Sequence, residues 1–472
     1  MFKLKASASI RSFRNIVSAA GFVFLAACSS NPISGIFGGG EDGDQANAPE
    51  DDERISILAL ENTLEPDPRY LGQLITLPPS YKNISWPQPG GEADHTLHHL
   101  SAPLEFEKSW KVDIGAASSR RARLTSPPVV ADGKVFVIDA EAKVTAYSSE
   151  DGSLLWRTEL APDVSERFRV REMFARTKAA HIGFGGGVAY DSGRVFITSG
   201  FGFVAAINAE NGEKLWQVET KSPVRTPPTA YRGAIYFVTI LNEFVALDAS
   251  TGEKQWNFQS FEEPARILSS ASPAAAGDLV VAPFSSGELV AFLAGSGRSV
   301  WDDTLAQNTS LTALSSLNDI AGSPVIDRGL VYVVSHAGRL AAIDIRTGNR
   351  VWETPIASLQ MPWVAGDFIF VISVDGELVA INRTDGAIRW VSELKRYEKP
   401  KKRKGRISWA GPVLAGDHLV LVSSHGELVK VSPLDGSIVE TVKIGGGSVV
   451  SPIVAEEKVF VLTESGKLFA FK

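Results

Sequence analysis

Histidines 95, 98 and 99 have the spacing that, on one face of a helix, would offer imidazoles to a metal ion. No acid or cysteine completes the set, and the surrounding Pro87, Pro89, Gly90 and Gly91 oppose a helix, so no metal site is expected. Gly183-Phe-Gly-Gly-Gly187 has the glycine content of a phosphate cradle, but no Lys-Ser/Thr follows and a strand comes next. No serine, histidine and acid grouping carries a nucleophile-elbow signature. What remains is the thiol of Cys28, the only cysteine in 472 residues, and two basic runs. One run holds Arg167, Arg169, Arg171, Arg176 and Lys178; the other holds Lys399, Lys401, Lys402, Arg403, Lys404 and Arg406. These runs read first as solvated, mobile loops, with contact to an acidic partner or anionic head groups as the alternative. The chain reads as a binding protein with no catalytic residue and no cofactor.

Cys28 closes a leader. Lys3, Lys5, Arg11 and Arg14 precede an apolar run from Ile16 to Ala27, too short to cross a bilayer comfortably, which reads as an export signal over 1–27. Leu25-Ala26-Ala27-Cys28 resembles the lipobox of bacterial lipoproteins. That resemblance implies that the thiol is acylated and that Cys28 becomes the new N-terminus. Several acyl chains, at about 0.8 kcal/mol per buried CH₂, make a stable anchor. With Ser29 where an inner-membrane retention residue such as Asp is absent, the resemblance to sorted lipoproteins implies the outer membrane, facing the periplasm. No second cysteine is available for a disulfide. Without the leader, 43 basic face 54 acidic side chains, a formal charge of −11 that does not suit nucleic acid.

Residues 29 to 54, rich in Gly, Asp, Glu, Asn and Pro, carry too little apolar surface to order themselves and read as a flexible tether. The alternation of Ile55, Ile57, Leu58 and Leu60 with charge predicts a short helix over Arg54 to Asn62, stopped by Pro66 and Pro68. Extended coil packed on the body is expected from there to His99. The division is thus 1–27 signal peptide, 28–104 lipid-anchored tether and extension, and 105–472 folded body.

The body is repetitive. A glycine followed four residues later by tryptophan recurs at Gly152/Trp156, Gly212/Trp216, Gly252/Trp256, Gly297/Trp301, Gly348/Trp352 and Gly386/Trp390. Each pair ends a phrase of β-rich runs joined by glycine turns, and a first run is marked by Pro128, Pro228, Pro273, Pro324, Pro362, Pro412 or Pro452. Proline there is tolerated if that strand lines a central channel, where its missing N–H breaks no ladder bond. Four strands per unit of roughly 40 to 45 residues is a propeller blade. Gly436 to Glu440 makes a seventh copy without its tryptophan. An eighth begins at Ser451 and stops after three strands, and Glu105 to Ile114, with Trp110, supplies the fourth. An all-β, eight-bladed β-propeller closed by the N-terminal strand joining the C-terminal blade is predicted.

The phrase Ala-x-Asp/Asn-x-x-x-Gly-x-x-x-Trp, as in Ala206 to Trp216 and Ala380 to Trp390, resembles the docking repeat of quinoprotein-type propellers. The resemblance implies that Trp110, Trp156, Trp216, Trp256, Trp301, Trp352 and Trp390 pack between blades and reach a neighbouring carbonyl. Joined to the lipobox and the blade number, the repeat is similar to the BamB family, lipoprotein subunits of the outer-membrane β-barrel assembly machinery, in its α-proteobacterial form. Membership implies a non-catalytic scaffold that binds the periplasmic domains of the central barrel subunit, works with the other subunits, and supports folding and insertion of unfolded outer-membrane clients. It also implies contacts on two successive loops. Val224 and Arg225 occupy the first; Glu262, Glu263 and Arg266 lie in the second, where Ser270 and Ser272 stand in place of expected acids. The alternatives are a quinone-dependent dehydrogenase-like enzyme, for which no second cysteine and no clear metal-binding set is present, and a propeller associated with cell wall or exopolysaccharide.

Overall fold

The computed structural model describes residues 64–103, 105–120, 122–160, 183–263, 271–306 and 318–472, with 183–184 in backbone only. The signal peptide, Cys28, the tether and the helix expected at 54–62 lie outside the described residues. So do Arg266, Ser270 and the first basic run.

Eight four-stranded antiparallel sheets follow one another around a ring. Blade 1 is representative: inner strand Val129–Ala131, then Lys134–Ile138, Lys143–Ser148, and outer strand Leu154–Glu159. Blades 2 to 7 span 186–219, 229–259, 274–304, 325–354, 363–393 and 409–443. Blade 8 takes Ile453–Ala455, Lys458–Leu462 and Lys467–Phe471 from the end of the chain and Lys108–Asp113 from its beginning. The second and third strands are buried almost throughout, while the outer strands alternate between exposed and covered positions. Six of the marker prolines sit immediately before an inner strand; Pro412 lies within Trp409–Ala415, at a register shift.

The joints between blades obey one rule. In each outer hairpin the tryptophan faces a small residue, as in Ala146↔Trp156, Ala342↔Trp352 and, across the two chain ends, Ala470↔Trp110. Seven indole N–H groups then donate to a carbonyl of the next blade: Trp110 to Ser149, Trp156 to Ala209, Trp216 to Ala249, Trp256 to Ala294, Trp301 to Ile345, Trp352 to Arg383 and Trp390 to Pro433, at 2.7–3.2 Å. Beneath each ring lies the turn glycine of that next blade. A Cβ on Gly297 would stand 2.5 Å from the Trp256 ring, and one on Gly386 2.5 Å from that of Trp352. These glycines also hold φ near +70°, which L side chains rarely adopt, so both contact and conformation demand them.

The eighth joint departs from the rule for a topological reason. Blade 7 would dock its aromatic ring on a turn between the third and fourth strands of blade 8, but that fourth strand is Lys108–Asp113, so no such turn joins them. The Ala/Trp pair is accordingly replaced by Lys430 opposite Glu440, with Nζ 2.8 Å from the carboxylate. Lys430 is 3% exposed in its side chain, and its ammonium lies 4.0 Å from the centre of the Phe106 ring. Phe106 arrives just ahead of the N-terminal strand and packs on Phe471.

Residues 81–101 form a strap that binds the inner strands of all eight blades in ring order. Asn83 exchanges hydrogen bonds with blade 8 at Val454 and Glu456, and Trp86 pairs with Val130 of blade 1 at 2.7 and 2.9 Å. Pro87 accepts from Tyr190, the Gln88 side chain brackets Ala230, Ala93 accepts from Ala275, and Asp94 accepts from Ile326. His98 accepts from the Trp363 indole, and Leu100 pairs with Leu414 and Gly416. Inner-strand edges facing a channel would otherwise leave backbone donors and acceptors unpaired, and the strap satisfies them. Trp86, 1% exposed, stacks on Trp363 with ring centres 6.1 Å apart.

Trp352→Ala should cost about 3–5 kcal/mol in denaturant unfolding, the usual price of emptying a buried tryptophan site. Reinstalling the repeat pattern at the odd joint, Lys430→Ala with Glu440→Trp, should fail to stabilise the protein, because no turn exists there to receive the indole. A melting temperature above that of the unaltered chain would refute this account.

Candidate partner-docking face

Connections from an outer strand to the next inner strand, and turns between second and third strands, gather on one face of the disc. The strap binds the ends of the inner strands away from this face. The central channel is therefore a blind pit of about 100 Å³, floored by Trp86, Pro89 and Gly90 and walled by Pro127, Pro227, Met361, Trp363, Pro412 and Val413 among others. That volume is below the ~300 Å³ at which small-molecule sites begin. Its polar lining is Thr125, Ser323, Gln360 and Ser451, with no carboxylate among the described residues to hold a cation, so this lining does not fit a quinone held with a metal ion.

The strap histidines do not converge. His95 Nδ1 bonds the carbonyl of Pro324 at 2.7 Å, His98 Nε2 lies 3.7 Å from Asp327, and His99 Nδ1 bonds the carbonyl of Pro78 while Nε2 accepts from the Asp417 amide. Each ring fastens a different stretch of the strap. Burial pushes His95 down to about 4, against its hydrogen bond to Pro324, and burial also lowers His98 despite the nearby Asp327 carboxylate.

The first of the two loops, 220–228, joins blades 2 and 3. Val224, expected as a partner contact, is 0% exposed and packs against Phe196, Val204, Ile235 and Phe237. Its amide donates to Ser199, and Val224 bridges Thr239. A branched apolar residue is drawn into the gap between blades, so Val224 is corrected to a core residue. Arg225 is half-buried, its carbonyl accepting from Gly186, and it lines a cleft with Thr239, Asn242, Phe284 and Asp319. Asp319 comes from the next connection but one and brings to this cleft an acid that neither Ser270 nor Ser272 supplies; Ser272 is fully buried and its amide donates to Ser323.

The second loop leaves blade 3 at Ser260. Glu262 is exposed and Glu263 half-buried. Between them and the strand stands Phe261, 75% exposed. Asn242, itself buried, donates to the Phe261 carbonyl and accepts from Ser285, tying the loop to blades 3 and 4, and exposed Leu241 lies beside it on the same turn. Sequence reading passed over Phe261, though a signal was there. Four residues after the docking position, six blades bury an apolar residue: Ile114, Leu160, Leu305, Ile356, Leu394 and Ile444. Blade 3 has Ser260 at that place and its apolar residue one step later, which turns Phe261 outward.

The second basic run forms an ordered hairpin on the same face, three blades further round.

The family model described as outer membrane protein assembly factor BamB matches residues 107–182 and 165–392. The outer membrane protein assembly factor BamB of Shewanella oneidensis is 27% identical over 79% of this chain and 90% of its own length. Among solved structures, BamB from Moraxella catarrhalis aligns with TM-score 0.64 at 18% identity, covering 78% of this chain and all of that one. A europium-containing methanol dehydrogenase aligns with TM-score 0.63 at 12% identity over 82% of this chain and 98% of its own, a likeness of fold alone.

His95 supplies a pH test. Its folded-state value lies below the ordinary 6.5 of the unfolded chain, so protons favour unfolding; its contribution is complete above about 6.5 and is lost as pH falls toward about 4. His95→Gln should remove up to ~3 kcal/mol of that acid-dependent loss, read from chemical denaturation at several pH values. Parallel pH curves for the two proteins would rule out the buried neutral ring.

Proposed function

This chain belongs to the BamB family of outer membrane protein assembly factors, and we propose that it is a non-catalytic scaffold lipoprotein of the outer-membrane β-barrel assembly complex. It is held by acylated Cys28 at the periplasmic surface of the outer membrane and binds the periplasmic domains of the central barrel subunit. The similarity to outer membrane protein assembly factors supports the assembly role, and the leader ending in Leu-Ala-Ala-Cys supports the anchor.

The observation that carries the docking site is the exposed Phe261 beside Leu241, with Glu262 and Glu263 at its edge and Arg225 in the adjoining cleft. An aromatic anchor with charged residues at its rim is the composition of an energetic centre in protein recognition. The mechanism is positional. A rigid ring holds two loops of neighbouring blades in fixed relation, the tether keeps the ring near the membrane, and the partner's domains are oriented for receipt of unfolded clients. Nothing in the site holds a reacting atom. The blind, carboxylate-free pit supports a non-catalytic role over the quinone-dependent alternative, and no redox absorbance change is expected on adding pyrroloquinoline quinone and calcium.

Capture of the purified periplasmic domains of the barrel subunit should fall by about 30-fold in affinity for Phe261→Ala, the scale of a 2 kcal/mol anchor. Arg225→Glu should weaken it further. Full capture by both variants would overturn this placement of the site.

A further inference from the structure

The connection between blades 6 and 7 concentrates positive charge on an acidic chain. From Lys395 to Arg406 stand eight Lys or Arg and one acid, Glu398, in a protein of net charge −7. A block of like charge this dense is ordinarily a solvated coil. Here it is folded. Tyr397–Lys399 pairs antiparallel with Lys404–Arg406, and the tip is a 3-10 turn over Pro400–Lys402 closed by Arg403 at φ 46°.

The base of this hairpin is fixed to the propeller. Arg396 reaches Glu377 at 3.1 Å, Arg406 donates to the Val374 carbonyl at 2.8 Å, and the Trp409 indole donates to the Lys395 carbonyl at 3.0 Å. Leu394, Ile407 and Trp409 are buried below it. Above that base, residues 398–406 are exposed without interruption. Among the described residues no carboxylate lies within ion-pair distance of Lys399, Lys401, Lys402, Arg403 or Lys404. The fold therefore spends ordering free energy to hold mutually repelling cations outward, a cost that an anionic surface would relieve.

The tip's chemistry distinguishes the kinds of surface. It offers mostly lysine, a hydrated point charge suited to a field of anions rather than to one planar acceptor. Protein interfaces are depleted in lysine and centred on aromatic anchors, and from Lys399 to Arg406 there is no aromatic residue and no aliphatic side chain larger than proline. We propose that the hairpin Tyr397–Arg406 docks on anionic phospholipid head groups, turning one sector of the loop face toward the membrane while Phe261, three blades away, stays free for a protein. Clusters of this size gain about 1 kcal/mol per Lys or Arg near such a surface.

The test uses lipid-free protein beginning at Ser29, which contains all eight blades and the strap. It should sediment with vesicles of phosphatidylcholine and phosphatidylglycerol but not with phosphatidylcholine alone, and added salt should release it. The fourfold variant Lys401→Glu, Lys402→Glu, Arg403→Glu, Lys404→Glu should bind at least ~100-fold more weakly. Its melting temperature should change little, since among the described residues the four exposed side chains make no hydrogen bond or ion pair. Replacing the three lysines by arginine should retain binding. Equal sedimentation of the fourfold variant, or equal binding to neutral vesicles, would overturn the proposal. So would failure to bind phosphatidylglycerol vesicles while soluble polyglutamate is bound, an outcome that would assign the hairpin to an acidic polypeptide. Capture of the barrel subunit's domains is read separately: intact capture with no vesicle binding removes the hairpin's role and leaves the scaffold reading standing, and the reverse does the opposite.

Discussion

The whole ring depends on an indole laid flat on a glycine of the next blade while its N–H reaches that blade's turn. Seven joints repeat this contact. It sets both the distance and the angle between sheets, because the ring fills the wedge and the hydrogen bond permits one direction of approach. The small residue opposite each tryptophan and the positive φ of each glycine are consequences of the same contact. Replace either, and the indole has nowhere to lie.

Closure and plugging follow from the geometry of a ring. A ring of eight sheets leaves a gap at the axis that side chains of short inner strands do not fill, and it leaves inner-strand backbone facing that gap. The strap settles both at once, crossing the axis and bonding each blade in turn. The space at the axis is thereby narrowed by the protein's own chain. Phe261, Arg225 and the basic hairpin lie away from the axis, on the loop face.

The missing eighth tryptophan shows how topology selects residues. Glu440 read alone is a degenerate copy of the repeat. In the ring it is the partner of Lys430, and both stand where a tryptophan would face a third-to-fourth-strand turn that the shared blade 8 does not have. Phe106, from the other end of the chain, supplies the aromatic contact with a cation instead.

Fold class, blade number and the sharing of blade 8 by the two chain ends were legible in the sequence, because strand alternation and turn glycines are local and recur with every copy. The glycine-to-tryptophan spacing was legible too, but not its meaning: each tryptophan meets the glycine of the following blade, a contact between residues about forty apart. Family resemblance placed Val224 on the surface, where the gap between blades draws it in, and gave no sign of Phe261, turned outward by a one-residue shift. The strap could be read only as extended coil, since its partners are backbone groups of eight separate blades and leave no pattern in side chains. Local periodicity determined the repeating unit; only the closed ring decided which side chains are interior, which joint must differ and which loops share a face.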